Sequence, residues 1–476
     1  MSLKKNNLTK TYYFIGIKGV GMTMLAQFLK SKGQRVSGSD ILDTFLTDQV
    51  LASARIKVAA PFAVTNIPRA AEVIVCSSAF NKNNNLELAY IENNPDIFKK
   101  TKILSYAAAL GEIFNQHQGI AVCGSHGKTT TSAWLGYVLS SAGKEPNVLV
   151  GSRVPQFKGS GLVGRSRLMV AETDEYQNKL RFFQPVGVLL NNIDYDHPDF
   201  FPDLKSYQRV FADFIKKIPR NGFLITNQRD LLSRALAKKC VGRVISYDLS
   251  VDNKKSEADY VAFENKLSDG YQSFKLNYRG KFCGEFKISL WGEHNIFNAL
   301  AVIAAARVLK VAWPDISRAL ASFTGTERRA QILGRYRRAL IIDDYAHHPT
   351  EVRATLEGLR RHYPNKRLIT VFHPHTFTRT QALFNDFVGS FKNTNELIIL
   401  DIYGSARERQ GGVSSRQLVA AVKRFNKNNH IGQLVQHLPD IKAAATYLTK
   451  HLGPEDVLLL MGAGDVFRVA HILLKK

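Results

Sequence analysis

An apolar run, Ile120-Ala121-Val122-Cys123, stops at Gly124-Ser125-His126-Gly127-Lys128-Thr129-Thr130-Thr131. Apolar residues resume at Ala133, Trp134, Tyr137 and Val138 with the spacing of one helix face. A strand, a glycine loop carrying Lys-Thr and a helix, in that order, make a phosphate cradle. Backbone amides and the helix N-terminus attract the phosphate oxygens, Lys128 supplies a point charge, and Thr129 offers a hydroxyl to Mg²⁺. The spacing departs from the common phosphate loop, whose first glycine would fall at Val122.

The same plan recurs in three blocks, giving an α/β chain without repeats of 20–50 residues. The first opens with Tyr12-Tyr13-Phe14-Ile15 and the turn Gly16-Ile17-Lys18-Gly19-Val20-Gly21. Met22, Leu25, Ala26 and Leu29 follow on one helix face, then a second strand Arg35-Val36-Ser37 ending in Gly38-Ser39-Asp40. This is a Rossmann-like start, able to take the diphosphate of a nucleotide. Val73–Cys76 leads to Ser77-Ser78-Ala79. In the second block, Leu168–Ala171 ends in Glu172-Thr173-Asp174-Glu175, and Val186–Leu190 ends in a loop through Asp196-His197. Alternation around Arg279-Gly280 predicts antiparallel hairpins, and Gly292-Glu293-His294-Asn295 opens an apolar helix. In the third block the strands are Ala339–Ile342, Arg367–Phe372, Glu396–Leu400 and Asp456–Met461, with polar residues gathered after each.

Size and composition set the class. A chain of 476 residues suggests two to four domains, and 45% hydrophobic with 22% charged residues is ordinary for a soluble globular protein. No apolar run approaches a membrane span, and the start, Met1–Asn6, is too polar for a secretion signal. Four scattered cysteines fit a reduced cytoplasm, with Cys76 and Cys123 expected buried in strands. The net charge of +25 is spread along the chain without a nucleic-acid-reading motif, so a surface attracting anionic metabolites is expected rather than nucleic-acid binding.

Glu172 and His197 follow strands in the block that carries Lys128. Near a bound triphosphate, such groups serve as Mg²⁺ ligands or their supports, although a capping Glu and a structural His give the same local pattern. Asn295 and Asn298, three apart at a helix start, either cap it or meet ATP. Arg328 and Arg329 stand at the joint of blocks two and three, where a guanidinium would clamp a transferring phosphoryl group. In Asp343-Asp344-Tyr345-Ala346-His347-His348-Pro349 the two histidines should diverge, favouring substrate contact or capping of a helix over 350–363.

In combination these motifs resemble the Mur ligases of bacterial peptidoglycan synthesis over about 12–466: S-G-S-D, S-S-A, G-S-H-G-K-T-T-T, E-T-D-E, N-N-I-x-x-D-H, G-E-H-N-x-x-N-A, F-x-G-x-x-R-R, D-D-Y-A-H-H-P-T-E and H-P-H-T-F-T-R-T. The resemblance implies a Rossmann-like UDP-substrate domain (1–112), a central P-loop ATPase domain (113–325) and a Rossmann-like amino-acid domain (326–476). It implies an ATP- and Mg²⁺-dependent, cytoplasmic ligase, monomer or homodimer. This enzyme would join L-alanine to UDP-N-acetylmuramate through an acyl phosphate. By position, Gly124, His126, Gly127, Lys128, Thr129 and Thr130 would hold the phosphates, with Thr129, Glu172 and His197 at Mg²⁺. Asn295, Asn298, Arg329 and Asp344 would meet the nucleotide. Gly19, Gly21, Ser39, Asp40 and Ser78 would surround UDP, and Tyr345, His347 and Arg379 the amino acid. Lys18, where glycine is usual, would either alter the diphosphate turn or add a phosphate contact. The stretches E-T-D-E-Y and D-H-P-D-F-F lean towards a relative that reattaches a recycled murein tripeptide, whereas Tyr403-Gly404-Ser405-Ala406-Arg407-Glu408 leans towards alanine. A regulatory protein that no longer ligates is the reading from another class.

Overall fold

The alternating strands and helices resolve into three sheets in a computed structural model that describes residues 9–45, 47–250, 256–268, 270–404, 408 and 410–475. Met1–Asn6 and Ser405-Ala406-Arg407 lie outside the described residues.

The first sheet has five parallel strands in spatial order 3-2-1-4-5, with Thr11–Ile15 central, flanked by Arg35–Ser39 and Val73–Cys76. The second has ten strands. Its parallel core sets Gln118–Cys123 between Gly187–Leu190 and Leu168–Glu172, so the loop after Gln118–Cys123 emerges beside both expected carboxylate and histidine loops. The antiparallel ribbon Tyr260–Ser268, Tyr271–Tyr278 and Lys281–Ile288 closes one side. Arg279 and Gly280 make its turn, both at positive φ (49° and 76°), as a two-residue hairpin requires. The third sheet has six strands, parallel except for the edge strand Gln331–Tyr336. Its strand Ala339–Asp344 runs two residues beyond the expected end, so Asp343 and Asp344 belong to the strand itself.

The helix after the phosphate loop, Lys128–Ser141, departs from a one-faced pattern. Ala133, Trp134, Leu135 and Val138 are all closed from solvent, and Tyr137 is the half-exposed one. Trp134 stacks on Phe323 at 5.2 Å. Burying a large side chain contributes on the order of 2–3 kcal/mol, so packing on all sides fixes this helix and the loop it anchors.

The first two sheets share one apolar core, in which Phe14, Leu25 and Val36 continue into Phe114, Phe183 and Phe211. The expected division after residue 112 falls inside the helix Tyr106–Phe114, which packs into that core, and the chain crosses to the second sheet over 115–117. The third sheet has cores of its own, and several of its contacts with the second are polar. Interfaces of that kind favour relative motion. Among the described residues, no helix is long and apolar enough to cross a membrane.

Candidate active site

Two glycines make the loop possible. Gly127 caps the helix Lys128–Ser141 at φ 78°, and a Cβ there would stand 2.5 Å from Asn298 Oδ1 and 2.9 Å from Asn191 Nδ2. Gly124, at φ 123°, leaves room for the Asn192 carbonyl, 2.8 Å from where a Cβ would be. The loop therefore closes against the ends of the neighbouring strand and of the helix Glu293–Val308.

Inside it, Lys128 Nζ donates to the Gly124 carbonyl (2.5 Å), the Ser125 carbonyl (3.1 Å) and Glu175 Oε2 (3.0 Å). Burial works against its charge, but Glu175 and Asp174 outweigh it and hold the ammonium above the usual lysine range. Thr129 Oγ1 donates to Glu172 Oε1 at 2.9 Å, and the other Glu172 oxygen accepts from the Gly151 amide at 2.7 Å. Glu172 is thus an oxygen donor fixed beside the loop rather than a helix cap. His197, at φ 58°, sets Nε2 3.7 Å from both Glu175 and Asp196.

Lys128, Thr129, Glu172, His197, Arg329, Tyr345 and His347 line one cavity of about 530 Å³, which Val20, Thr23, Thr47 and Val50 close from the helices Val20–Ser31 and Thr47–Ser53 beside the first sheet. Three parts of the chain meet there. His126, Thr130, Asn295, Asn298 and Asp344 line an adjoining cavity of about 350 Å³, and Gly127 and Arg329 border both. The asparagines are not caps: the helix starts at Gly292 with no side-chain cap, Asn298 Oδ1 accepts from Thr131 Oγ1, and Asn298 Nδ2 donates to Asn295 Oδ1. Asp344 accepts from the amides of Ala330 and Ala346, and burial, opposed by Arg329, raises its pKa. Both guanidiniums lie over the Tyr345 ring, Arg328 at 5.0 Å and Arg329 at 5.2 Å, and Arg328 is also tied to Asp343 and the Gly462 carbonyl.

The two histidines diverge as expected. His348 caps the helix Pro349–His362, accepting from the Thr350 amide, while His347 bonds the Tyr345 carbonyl and faces Glu351. Burial lowers the His347 pKa to about 3, so its ring is neutral. His126 links the loop to the third sheet, with Nε2 2.9 Å from Asp194 and Nδ1 3.2 Å from Glu351.

Several expected contacts lie elsewhere. Ser39 is fully buried and its hydroxyl donates to Glu87 at 2.6 Å, because the strand turns that side chain inward. Asp40 accepts from the Lys18 and Ile41 amides and so braces the glycine turn. The Lys18 ammonium donates to the carbonyls of Ile41 and Asp43 and pairs with Asp48. Gly21 makes room for the Tyr106 ring, 2.8 Å from where its Cβ would be, whereas Gly19 has nothing within 3.6 Å and Ser78 is exposed. Arg379 is 6% exposed and grips Asp196, 2.9 Å from Nε and 3.3 Å from Nη2, so it does not face open space. Cys123 is buried, whereas Cys76 is only partly so.

Sequence reasoning gave no role to Glu175, Asp194, Asp196 or Glu351, although Glu175 stands in the E-T-D-E stretch, Asp196 precedes His197, and Glu351 ends D-D-Y-A-H-H-P-T-E.

Comparison with known proteins accords with this assembly. Residues 11–118 match the Mur ligase family catalytic domain, 122–306 the Mur ligase middle domain, and 328–464 the Mur ligase glutamate ligase domain. The chain is 35% identical over 463 residues to the UDP-N-acetylmuramate–L-alanine ligase of Desulfitobacterium hafniense (strain Y51), covering 97% of this chain and 98% of that one. It is 36% identical over 470 residues to the enzyme of that name from Clostridium kluyveri, covering 98% of each. Among solved structures it is similar to the UDP-N-acetylmuramate-alanine ligase of Thermotoga maritima, with a TM-score of 0.80 at 22% identity over 98% of both chains. The murein peptide ligase of Psychrobacter arcticus gives 0.72 at the same identity and coverage.

Proposed function

The chain belongs to the Mur ligase family, and from that premise we propose that it joins L-alanine to UDP-N-acetylmuramate at the expense of ATP, through an acyl phosphate, in the cytoplasm. One observation carries the reading. Lys128, the Thr129–Glu172 pair and His197 share a cavity with Arg329, Tyr345 and His347, so a phosphoryl donor and an amine acceptor would meet in one space. Relatives named for this activity match over nearly their whole length, which supports alanine as the amine. The units we assign are the three of the family, the first extended past residue 112 to the end of the helix Tyr106–Phe114.

The residues fit a nucleoside triphosphate and Mg²⁺. Gly127 leaves a space that a Cβ would fill, and Thr129 Oγ1 with Glu172 Oε1, 2.9 Å apart, is a hard oxygen pair of the kind Mg²⁺ takes. When bound, ATP supplies the transferable phosphoryl group and Mg²⁺ neutralises its charge. The loop amides and Lys128 hold the β- and γ-phosphates, and Lys128 leaves its contacts with the loop carbonyls to do so. Thr129, Glu172 and His197 serve the metal. Arg329 would face the negative charge that builds on the transferred group. Asn295, Asn298 and Asp344 line the adjoining space for the rest of the nucleotide. Gly19 and Ser78 face the UDP moiety, with Ser39, Asp40 and Gly21 shaping the turn beneath it. Tyr345 and neutral His347 receive the amino acid beside Arg379.

The test is phosphate release with UDP-N-acetylmuramate, ATP and Mg²⁺ and, in turn, L-alanine, other amino acids and murein tripeptide. Release that needs the UDP-sugar and is fastest with L-alanine is expected. Tripeptide outcompeting alanine would move the assignment to the recycling reaction, and no release with any amine would overturn it. Lys128→Ala should lose on the order of 10²-fold or more in turnover while staying folded.

A further inference from the structure

His126 and Asp194, which line the smaller cavity, form a cluster with His348, and neither Asp194 nor His348 has a part in the proposed reaction. His126 Nε2 lies 2.9 Å from Asp194 Oδ2, His348 Nδ1 lies 3.5 Å from that same oxygen, and one ligand atom from each of the three residues lies within 4.8 Å of the other two. A tetrahedral ion with bonds of about 2.0–2.1 Å holds its ligand atoms about 3.3 Å apart, so one ion suits this spacing. We propose that His126, Asp194 and His348 bind a divalent transition-metal ion of the zinc or cobalt kind, joining the phosphate loop to the start of the helix Pro349–His362.

The far side of each ring supports this. His348 Nε2 lies 3.2 Å from the Tyr195 carbonyl, which only accepts, so Nε2 carries the hydrogen. In the neutral ring Nδ1 is then the acceptor, taking the Thr350 amide at 3.3 Å and lying 3.5 Å from Asp194 Oδ2, so its lone pair is open to an ion once that long contact is given up. His126 Nδ1 lies 3.2 Å from Glu351 Oε1, the carboxylate–histidine arrangement that orients metal-binding imidazoles. With both nitrogens facing carboxylates, His126 needs two protons when no ion is bound. An ion replaces the one on Nε2. The same carboxylate oxygen accepts from Thr350 Oγ1 at 2.7 Å, and the Thr350 amide contact to His348, long at 3.3 Å, is what the ion would displace. Two imidazoles and one carboxylate favour a borderline transition ion over Mg²⁺. Asp194 is 38% exposed on the cavity side, which gives a way in, whereas His348 is almost closed.

The cluster is separate from the residues assigned to Mg²⁺, because Glu172 and His197 line the other cavity. It takes ligands from both sides of a polar interface, so a bound ion holds the third sheet against the phosphate loop. The inference does not rest on the ligase reading.

Cobalt tests it in the full-length protein. One equivalent of Co²⁺ should give d–d absorption bands of tetrahedral intensity without a thiolate charge-transfer band. His348→Gln and Asp194→Asn should each weaken Co²⁺ binding at least tenfold, Glu351→Gln should weaken it roughly 10- to 100-fold, and Glu172→Gln should leave it unchanged. Zn²⁺ should raise the unfolding midpoint of the wild type and not that of His348→Gln, which separates loss of the site from loss of the fold. No band at one equivalent, or equal binding in the wild type, His348→Gln and Asp194→Asn, overturns the proposal.

Discussion

Replacing Gly127 with alanine tests the phosphate cradle at its tightest point. A left-handed conformation costs a non-glycine residue about 1–2 kcal/mol, and Gly127 sits at φ 78°. The new Cβ would also stand 2.5 Å from Asn298 Oδ1, well inside contact distance. Asn298 cannot move freely, because it accepts from Thr131 and donates to Asn295, both at 3.1 Å. Giving up those two hydrogen bonds costs about 1 kcal/mol each. The total is roughly 3–4 kcal/mol, and paid at the nucleotide site it weakens ATP binding about 100- to 1000-fold. Displacement of a fluorescent ATP analogue measures this, with circular dichroism to confirm the fold. Gly143 is the control: at φ 69° it has nothing within 4 Å of a built Cβ, so Gly143→Ala should lower stability slightly and leave ATP affinity alone. A folded Gly127→Ala that binds ATP within threefold of wild type would refute the argument.

Glu172→Gln should raise the Mg²⁺ concentration needed for half-maximal turnover far more than the KM for the UDP-sugar; superimposable Mg²⁺ titrations would show Glu172 to be structural. Arg379→Lys should raise the KM for L-alanine more than tenfold while the KM for ATP stays within about twofold, since one ammonium cannot reproduce a planar fork. An equal rise in both constants, copied by Asp196→Asn, would mean that this pair only docks the third sheet. Burial, opposed by the Arg328 guanidinium, raises Asp343 from 3.8 to about 6, and its Oδ1 has no hydrogen-bond partner among the described residues. An acid with a raised folded pKa favours folding while protonated, so this contribution is present below about pH 4 and is lost as pH rises through about 6. The span is worth at most roughly 3 kcal/mol. Unfolding midpoints between pH 4 and pH 7 should fall more for the wild type than for Asp343→Asn, and parallel curves would contradict the assignment.

What could be read in the sequence was local. The phosphate loop, the strands around it, the hairpin at Arg279-Gly280 and the divergent histidines each follow from spacing and turn chemistry within a few residues. The pairings that finish the site join residues far apart in the chain, such as Arg379 with Asp196 and His126 with Glu351, and no local pattern announces them. Ser39 shows the opposite failure. Its position after a strand reads as a ligand contact, yet the alternation of side chains turns it inward to Glu87, a partner 48 residues away. Lys18 reads as a free cation beside a glycine turn, but the following loop consumes it.

The most direct test of carboxylate activation follows an oxygen atom. UDP-N-acetylmuramate labelled with ¹⁸O in the lactyl carboxylate is turned over with ATP, Mg²⁺ and L-alanine, and the inorganic phosphate is analysed by mass spectrometry. If the carboxylate attacks the γ-phosphoryl group and the amine then expels phosphate, one ¹⁸O passes into phosphate in every turnover. Phosphate without the label, released alongside the amide product, would contradict the acyl phosphate and with it the roles given to Lys128, Glu172 and Arg329.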